Sequence, residues 1–413
     1  MASRQSVMRA RAGTMAVLFS NGVLYATWGV SIPTIQEKFG LTNGLLSLAM
    51  AAVALGGIVT MAAAGRWIAR TGSGRASLIS GVLMACTAAP ILLVSQFGAL
   101  LILLVAYGVA TATNDVAANA QVAYLENLSG RSRIGAVHGS FSAGGLVGVL
   151  LASLWTPNGL PNAGHVIAVA AFAAIATVAA NAVLLNETMA HSRHQPAEQG
   201  LRMQRRKDAQ AYRRLFIFGG LAFAALVIEG AFYDWAAVYL RQIAHAPASW
   251  IGLGYAAFAA AMAVGRLSGD ALRNRYAHQN VVSASGALTV VGVAVVVGNV
   301  SPPTVLLGFI VTGIGASNLI PVIFSSAGKL ARSAGWPASQ GIAVTTRIAY
   351  IGLLAGPLIL GPLAEAFGLR LAMLCLVAAA LVTCGGWLLL SRACGQAPWL
   401  LPVEALHRPR RTT

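Results

Sequence analysis

Charged side chains are scarce in this chain: they make up 9% of the residues, whereas hydrophobic residues make up 57%. A soluble globular domain carries about 25% charged residues, so this composition excludes an ordinary soluble protein. The mean hydropathy of +0.72 instead indicates a chain that crosses a membrane several times.

Acidic residues are the scarcest charged group, with 11 Asp and Glu against 28 Lys and Arg and a net charge of +17. Nucleic-acid-binding proteins share such an excess of positive charge, so the placement of the basic residues has to decide between a nucleic-acid-binding protein and a membrane protein. Lys38, Arg241 and Arg370 fall outside the predicted spans on the outer side and Arg347 falls within one, which leaves 24 of the 28 on the inner side. This positive-inside pattern predicts lipid rather than nucleic acid as the surroundings and places both termini in the cytoplasm.

Motifs of nucleotide-driven pumps and of hydrolases are missing. The chain has no Gly-x-x-x-x-Gly-Lys-Ser/Thr loop, no His-Glu-x-x-His and no Gly-x-Ser-x-Gly, so we predict neither an ATP-driven pump nor an enzyme. The four cysteines show no paired or metal-like spacing and are interpreted as small core residues. No metal or other cofactor is predicted, and the histidines within 186–213 are interpreted as solvated.

Long apolar runs dominate what the sequence does contain. Runs of about 20 residues, enough to cross about 30 Å of hydrocarbon, recur along the chain. They are continuous rather than alternating, which favours helices over a barrel. The twelve predicted spans are 13–35, 44–65, 76–95, 99–125, 136–156, 163–185, 214–239, 250–271, 279–300, 303–327, 338–361 and 367–391. The first is too long for a signal peptide and lacks a cleavage site, so it is predicted to be retained.

The polar stretch 186–213 divides the spans into two groups of six. We therefore predict a six-helix bundle over 1–185, a cytoplasmic linker over 186–213, a second bundle over 214–391 and a basic tail over 392–413. An offset of 204 residues aligns Gly65-Arg66 with Gly269-Asp270 and Asn114 with Asn318, which indicates two parallel repeats. In such an architecture the binding site forms between halves that rock against each other.

Polar side chains recur every four residues along the fourth span, at Tyr107, Thr111, Asp115 and Asn119. This spacing places them on one helix face, which must contact protein or water rather than lipid. An ionised carboxylate at the position of Asp115 costs about 2.5–3.5 kcal/mol, so the protonated acid is favoured there. Asp115 is the first candidate for a proton-coupling residue, against the alternative of a packing hydrogen bond.

The seventh span carries two further acids. Glu229 shares a face with Tyr233 and is a second candidate for proton or solute contact. Asp234 is turned about 140° from Glu229 on a helix, beside Trp235, and is interpreted as an outer gate or an interfacial anchor, with the anchor favoured.

The remaining candidates lie in the fifth, tenth and eleventh spans. His138 is interpreted as either a proton relay or an interfacial hydrogen-bonding group, while Gly144 and Gly148 indicate close helix packing. Pro321 predicts a kink in the tenth span. Arg347 keeps its charge and needs an anionic or carbonyl partner, which could be Asp115, Glu229 or an acidic solute; snorkelling to the cytoplasmic interface is the alternative. The predicted solute contacts are Tyr107, Thr111, Asn114, Asn119, Tyr233, Asn318, Arg347 and Tyr350.

Two loop motifs and several span motifs resemble the major facilitator superfamily over the whole chain. The loop "GRWIARTGSGR" (65–75) resembles the family's loop signature, with Ala69 where an acid is expected, and its second copy "GRLSGDALRNR" (265–275) keeps Asp270. In the family this loop holds the halves together through charge pairs in one state. The resemblance therefore implies gating roles for Arg66, Arg70, Arg75, Arg266 and Asp270, to which we add Asp234.

The span motifs narrow the resemblance. "NDVAANA" (114–120), "GRSRIGAVHGSFSAGGLVG" (130–148) and "EGAFYDWAAVYL" (229–240) resemble fucose-permease-like proteins and a group that includes a rhizopine-associated membrane protein and bacterial inner-membrane proteins. The fucose-permease-like proteins carry a protonatable acid four residues before an Asn, which Asp115 and Asn119 match. They also carry an acid in the first helix, which is absent between Gly13 and Ile35 here.

Together these observations predict an all-α, twelve-span secondary transporter of the bacterial inner membrane. We expect it to act as a monomer and to move a small hydrophilic solute, sugar-like or a polyol, in a proton-coupled cycle. A drug or metabolite efflux antiporter of the same fold and a non-transporting membrane sensor are the alternatives.

Overall fold

The computed structural model describes residues 4–129, 134–155, 161–184, 201–298, 301–336 and 338–394, and every regular element within these ranges is a helix. The helices are α1 (Arg4–Phe39), α2 (Asn43–Thr71), α3 (Ser73–Ala88), α4 (Phe97–Ser129), α5 (Ile134–Trp155), α6 (Ala163–Asn181), α7 (Leu201–Gln242), α8 (Ala248–Arg275), α9 (His278–Gly298), α10 (Pro302–Ala316), α11 (Leu319–Ser333), α12 (Ala338–Phe367), α13 (Leu369–Ala372) and α14 (Leu374–Cys394).

Ten stretches of these helices are long and apolar enough to cross a membrane, and Gly139–Trp155 of α5 is a shorter apolar helix. The sixteen residues of α3 coincide with the remaining predicted span. α10 and α11 lie within one candidate stretch, Pro302–Ser333, and α13 and α14 within another, Leu369–Arg392. The predicted all-α architecture of twelve spans is thereby confirmed.

Two differences from the predicted spans affect the architecture. Helix α7 begins at Leu201, so the second part of the predicted linker continues into the seventh span as helix. The tenth span is interrupted between Ala316 and Leu319. Pro321 lacks an N–H group and its ring collides with the carbonyl four residues earlier, at Ser317, which explains a break at this place. The first part of the linker (185–200) and the tail (395–413) lie outside the described residues.

Helix packing follows the same scheme in the first six spans (α1–α6, the N-half) and the last six (α7–α14, the C-half). In the N-half, α1 packs against α5 and α6, α2 against α4, and α3 against α4 and α6. In the C-half, α7 packs against α12 and α14, α8 against α10, and α9 against α10 and α14. Matching the spans in order reproduces the pairs, as expected for the repeat indicated by the 204-residue offset.

Glycines allow backbones to touch within each half. A Cβ atom on Gly144 or Gly148 of α5 would collide with the main chain of α1 at Phe19 or Val23. In the C-half, Gly352 of α12 lies in the same way against the main chain of Phe223 in α7. The packing role predicted for Gly144 and Gly148 is confirmed, and small residues bring both pairs together as they do in other membrane helices.

The halves meet through α2 with α12, α5 with α8, and α1 with α7. Gly361 of α12 lies so close to α2 that an added Cβ would overlap the side chain of Ser47. We call this end of the bundle, which also carries the α1–α2 and α7–α8 connections, the closed end. The opposite end, where α7 enters from the predicted linker, is the linker end.

Towards the linker end the halves remain in contact through α5 and α8, where an added Cβ on Gly139 would lie 3.9 Å from Leu267. Along the face of α12 that meets α2, however, Gly361 is buried, Tyr350 is partly buried and Arg347 is exposed. α4 packs against α1, α2 and α3 of its own half, and α11 against α7, α9 and α12 of its own. Among the described residues neither α4 nor α11 forms a packed interface with the opposite half, so the space between the halves opens beside these two helices at the linker end.

Candidate functional site

A salt bridge lies inside the bundle between the seventh and eighth spans. The Arg266 guanidinium donates to a Glu229 carboxylate oxygen at 2.7 Å, with side-chain exposures of 36% and 14%. The partner of Glu229 is therefore Arg266 and not Arg347, which corrects one of the pairings considered for Glu229. It also corrects the assignment of Arg266 to a loop, because α8 continues for nine residues beyond it, to Arg275.

The polar stripe of α4 faces the opening between the halves. Tyr107 is fully buried, Thr111 and Asp115 are partly buried, and Asn119 is exposed. Exposure thus rises towards the linker end on this face, as it does on α12. The Thr111 hydroxyl donates to the Tyr107 carbonyl at 2.8 Å, so its proton is used within α4 and is not free for a solute.

Tyr350 of α12 lies between Asp115 and the salt bridge, because it is within electrostatic range of Asp115, Glu229 and Arg266. We call these four side chains the charged layer. Asp115 makes no hydrogen bond or ion pair with another described residue. The packing alternative for Asp115 is therefore not supported, since that interpretation requires a hydrogen-bonded partner on a neighbouring helix.

A second layer, nearer the closed end, is aromatic. The rings of Tyr25 and Tyr233 meet edge to face at 6.2 Å, and those of Tyr233 and Tyr255 lie 5.2 Å apart. Asp234 is within electrostatic range of Tyr25 and Tyr255. We call Tyr25, Tyr233, Tyr255 and Asp234 the aromatic layer; it includes α1 from the N-half and α7 and α8 from the C-half.

This position corrects the interpretation of Asp234 as a membrane-interface anchor. Trp235 is 0% exposed and cannot anchor the helix in a headgroup region. Asp234 lies seven residues before Arg241, which places both on nearly the same face of α7, and Arg241 contacts α1. Asp234 therefore lies between the halves.

Two residues predicted to contact solute are instead used for packing within a half. Asn114 is fully buried; its amide donates to the Ser77 carbonyl at 2.7 Å and the Ser80 hydroxyl at 3.1 Å, and its oxygen accepts from Asn21 at 2.7 Å. Asn318 is 4% exposed and its amide donates to the Gly265 carbonyl of α8 at 3.2 Å. Their polar atoms are occupied by neighbouring helices, so neither presents a free group to solute.

Arg347 is exposed and forms no ion pair with a described residue. It lies 14 residues before Gly361, nearly four helical turns, and so on about the same face of α12. At Gly361 that face contacts the N-half, so at Arg347 it is directed towards the space between the separated halves. The role of Arg347 as a solute contact stays a prediction.

Apart from Arg266, the gating residues implied by the loop signature are exposed or have side chains outside the described part. Arg66, Arg70 and Arg75 are exposed and form no ion pair with a described residue. The side chains of Asp270 and of His138 in α5 lie outside the described residues, so their predicted roles stay predictions.

A polar cluster at the closed end was missed by the sequence interpretation. Arg241 of α7 forms a salt bridge with Glu37 at 2.7 Å and donates to the Pro33 carbonyl at 2.7 Å. The next residue, Gln242, donates to Gln36 at 2.9 Å. These contacts join α1 to α7 across the halves.

The same cluster extends to α2 and α12. Gln242 also donates to the Asn43 side chain at 3.3 Å, and the Gly44 amide donates to the Glu365 carboxylate at 3.2 Å. We call this set the closed-end lock. In the sequence, the position of Arg241 on the outer side was the one indication of this lock. Its partners lie at helix ends, where neither periodicity nor a motif identifies them.

Comparison with known proteins agrees with this arrangement. The Major Facilitator Superfamily model matches residues 14–346. An uncharacterized MFS-type transporter of Yersinia pestis is 30% identical over 364 residues, which cover 88% of this chain and 91% of that protein. Membrane protein MosC of Rhizobium meliloti is 30% identical over 365 residues, which cover 88% and 86% of the two chains.

Solved structures share the fold at low sequence identity. A bacterial homolog of the human lysosomal transporter Spinster superposes with a TM-score of 0.76 at 15% identity, covering 96% of this chain and 100% of that one. The nucleoside transporter NupG gives 0.71 at 14%, covering 92% and 98%, and the transporter FucP gives 0.63 at 17%, covering 95% and 100%. By its family match and by its relatives, the chain belongs to the major facilitator superfamily of membrane transporters.

Proposed function

We propose that this protein is a secondary transporter that moves a small hydrophilic solute by alternating access, driven by protons through Asp115. The observation that carries the proposal is the position of Tyr350, which is in range both of Asp115 in one half and of the Glu229–Arg266 salt bridge in the other. Buried charges are expensive in a membrane protein and commonly mark a transport pathway.

The closed-end lock and the open linker end together correspond to one state of such a cycle. With the linker end in the cytoplasm, as the distribution of basic residues predicts, this state faces inward in the bacterial inner membrane. The outward-facing state requires the lock to open and α4 and α11 to approach the opposite halves.

Asp115 is suited to carry the proton because it is the acid of the charged layer that has no partner among the described residues. Glu229 already has a partner, because it forms a salt bridge with Arg266 at 2.7 Å. Asp115 can bind a proton while the site is open to one side of the membrane and release that proton when the halves have rocked and the site is open to the other side.

The nature of the site favours a hydrophilic solute over an apolar drug. The charged layer presents a carboxylate, a salt bridge and a phenol, and the α4 stripe continues to Asn119 at the exposed end. Such groups discriminate among polar solutes, whereas drug pockets are mainly apolar.

The test is uptake by the purified protein in vesicles with an imposed proton gradient, using a panel of radiolabelled sugars, polyols, amines and amino acids. We expect accumulation of at least one polar solute against its gradient. Asp115→Asn is expected to abolish accumulation by more than tenfold while leaving solute exchange across the vesicle at near wild-type rate. Full accumulation by the Asp115→Asn variant would remove Asp115 from coupling, and accumulation of apolar drugs alone would favour the efflux alternative.

A further inference from the structure

The charges between the halves do not balance. The two layers contain three acids, Asp115, Glu229 and Asp234. The cation of these layers is Arg266, and it is paired with Glu229. Arg347 lies one turn beyond Tyr350 on the linker-end side, so it is closer to the mouth of the opening. Asp115 and Asp234 are therefore both left without a paired cation. Asp234 is the one further from Arg347, and Arg241 beyond it is already paired with Glu37.

Asp234 has no hydrogen bond or ion pair with another described residue, although it lies between the halves. It is partly buried and within electrostatic range of Tyr25 and Tyr255. When ionised, a carboxylate in this position lacks, as Asp115 does, the compensation that buried charges normally receive from a partner. A positively charged group of the solute would supply it.

The aromatic layer has the composition of a cation site. The edge-to-face contact of Tyr25 with Tyr233, at 85° and 6.2 Å, directs two ring planes at right angles, and Tyr255 adds a third ring. Tyrosine faces attract ammonium groups through the ring quadrupole. Gly29 allows Tyr255 to approach α1, because an added Cβ would lie 2.8 Å from the Tyr255 ring.

A second observation points to a polar ligand at this level. The Tyr107 side chain is 0% exposed, and its hydroxyl has no hydrogen-bond partner among the described residues. It lies within electrostatic range of Tyr25 and Tyr255. A buried hydroxyl without a partner costs stability, and the hydroxyl or amine of a bound solute could satisfy it.

We propose that the aromatic layer binds the protonated amine of the transported solute, with Asp234 as its counter-ion. This inference rests on the proposed transport function and names its substrate class: a small polar amine. Asp115 and Asp234 then have separate roles in separate layers, the first for the proton and the second for the solute.

The test uses two matched sets of solutes and the thermal unfolding of the detergent-solubilised full chain. One set is glucosamine, glucose and glucuronate; the other is putrescine, butanediol and succinate. Because a ligand of the folded state raises its apparent stability with concentration, each titration yields a Kd. We expect an amine to bind at least tenfold more tightly than its neutral and acidic counterparts.

The variant Asp234→Asn is expected to remove this preference, whereas Asp234→Glu, which retains the carboxylate, is expected to keep it. Should Asp234→Asn fail to fold, Tyr25→Leu is expected to weaken amine binding and Tyr25→Phe, which retains the ring face, to preserve it. Equal or tighter binding of a neutral or acidic counterpart, no binding of either amine, or an unchanged preference in the folded Asp234→Asn variant would overturn the proposal.

The vesicle experiment distinguishes this failure from failure of the proposed function. Proton-driven accumulation of glucose or glucuronate in preference to glucosamine would leave transport standing and would overturn only the amine assignment. Amine binding to the purified protein without gradient-driven uptake of any solute would instead overturn the transport proposal.

Discussion

At the closed end, Arg241 of α7 reaches across to Glu37 and Pro33 of α1. At the linker end, Arg66, Arg70 and Arg75 are exposed, and none forms an ion pair with a described residue. At the closed end, oppositely charged groups from the two halves therefore form a pair. At the linker end these three cations have no acidic partner among the described side chains. Closure of the linker end needs a contribution that these side chains do not supply, and in the proposed function the binding of solute and proton supplies it.

The lock is also of a kind that can open. Glu37 and Arg241 have side-chain exposures of 67% and 32%, and ion pairs at such exposure contribute about 0–1 kcal/mol. The close contact of Gly361 with Ser47 lies deeper and depends on the missing Cβ. Shape and charge thus hold the closed end together, and substitutions can separate their contributions.

The largest effect is expected from Gly361→Ala. The added Cβ would overlap the Ser47 side chain, and such overpacking costs about 1–3 kcal/mol, so the equilibrium should move roughly 5- to 150-fold away from the closed contact. Ala364 is 3% exposed, so a cysteine at this position should react faster with a maleimide when the closed contact opens. The measurement is the labelling rate of Ala364→Cys in a background without the native cysteines, and Gly361→Ala should raise it. Gly385→Ala, where an added Cβ meets no atom within 4 Å, is the control; equal labelling in both variants would contradict the prediction.

A smaller effect is expected from Arg241→Gln. This change removes the salt bridge and the hydrogen bond to the Pro33 carbonyl, a loss of about 1 kcal/mol when the exposure of the pair is taken into account. Labelling of Ala364→Cys should rise about fivefold. The matched variant Glu37→Gln removes the ion pair but keeps the Pro33 contact and should give about a twofold rise; a larger rise for Glu37→Gln would show that the ion pair dominates.

The smallest effect on the lock is expected from Arg347→Gln, at the other end. It should leave Ala364→Cys labelling unchanged, because Arg347 lies nearly four turns from the Gly361 contact. Transport should nevertheless fall several-fold, with normal membrane insertion, because the residue is directed towards the solute route. Transport at the wild-type rate would instead support snorkelling at the membrane interface.

Much of the fold could be predicted from the sequence because hydrocarbon thickness fixes the length of a span and lipid excludes unpaired backbone. The glycine spacing of α5 predicted its packing, and Pro321 predicted a distortion in the tenth span. The boundaries were less accessible: α7 begins at Leu201, where the polar composition indicated a linker. Helix continues there because its polar side chains need no apolar surroundings.

The site was predicted less completely, for a different reason. A polar residue in a span signals that something compensates it, but the sequence does not say whether the partner is solute or protein. Asn114 proved to hold α4 against α1 and α3, whereas Asp234 proved to lie between the halves. The pairing of Arg266 with Glu229 depends on the depth of α8, which the resemblance to a loop signature obscured.

The glycine contacts within each half have a mechanical consequence. Where main chain lies directly against main chain, as between α5 and α1 or α12 and α7, no long side chains are available to change rotamer and absorb a displacement. Each bundle should therefore move as a rigid body, and deformation should be concentrated where the two bundles touch. A small displacement at the tyrosine rings would then be magnified at the far ends of the helices, so a solute of a few atoms could change access across the whole membrane.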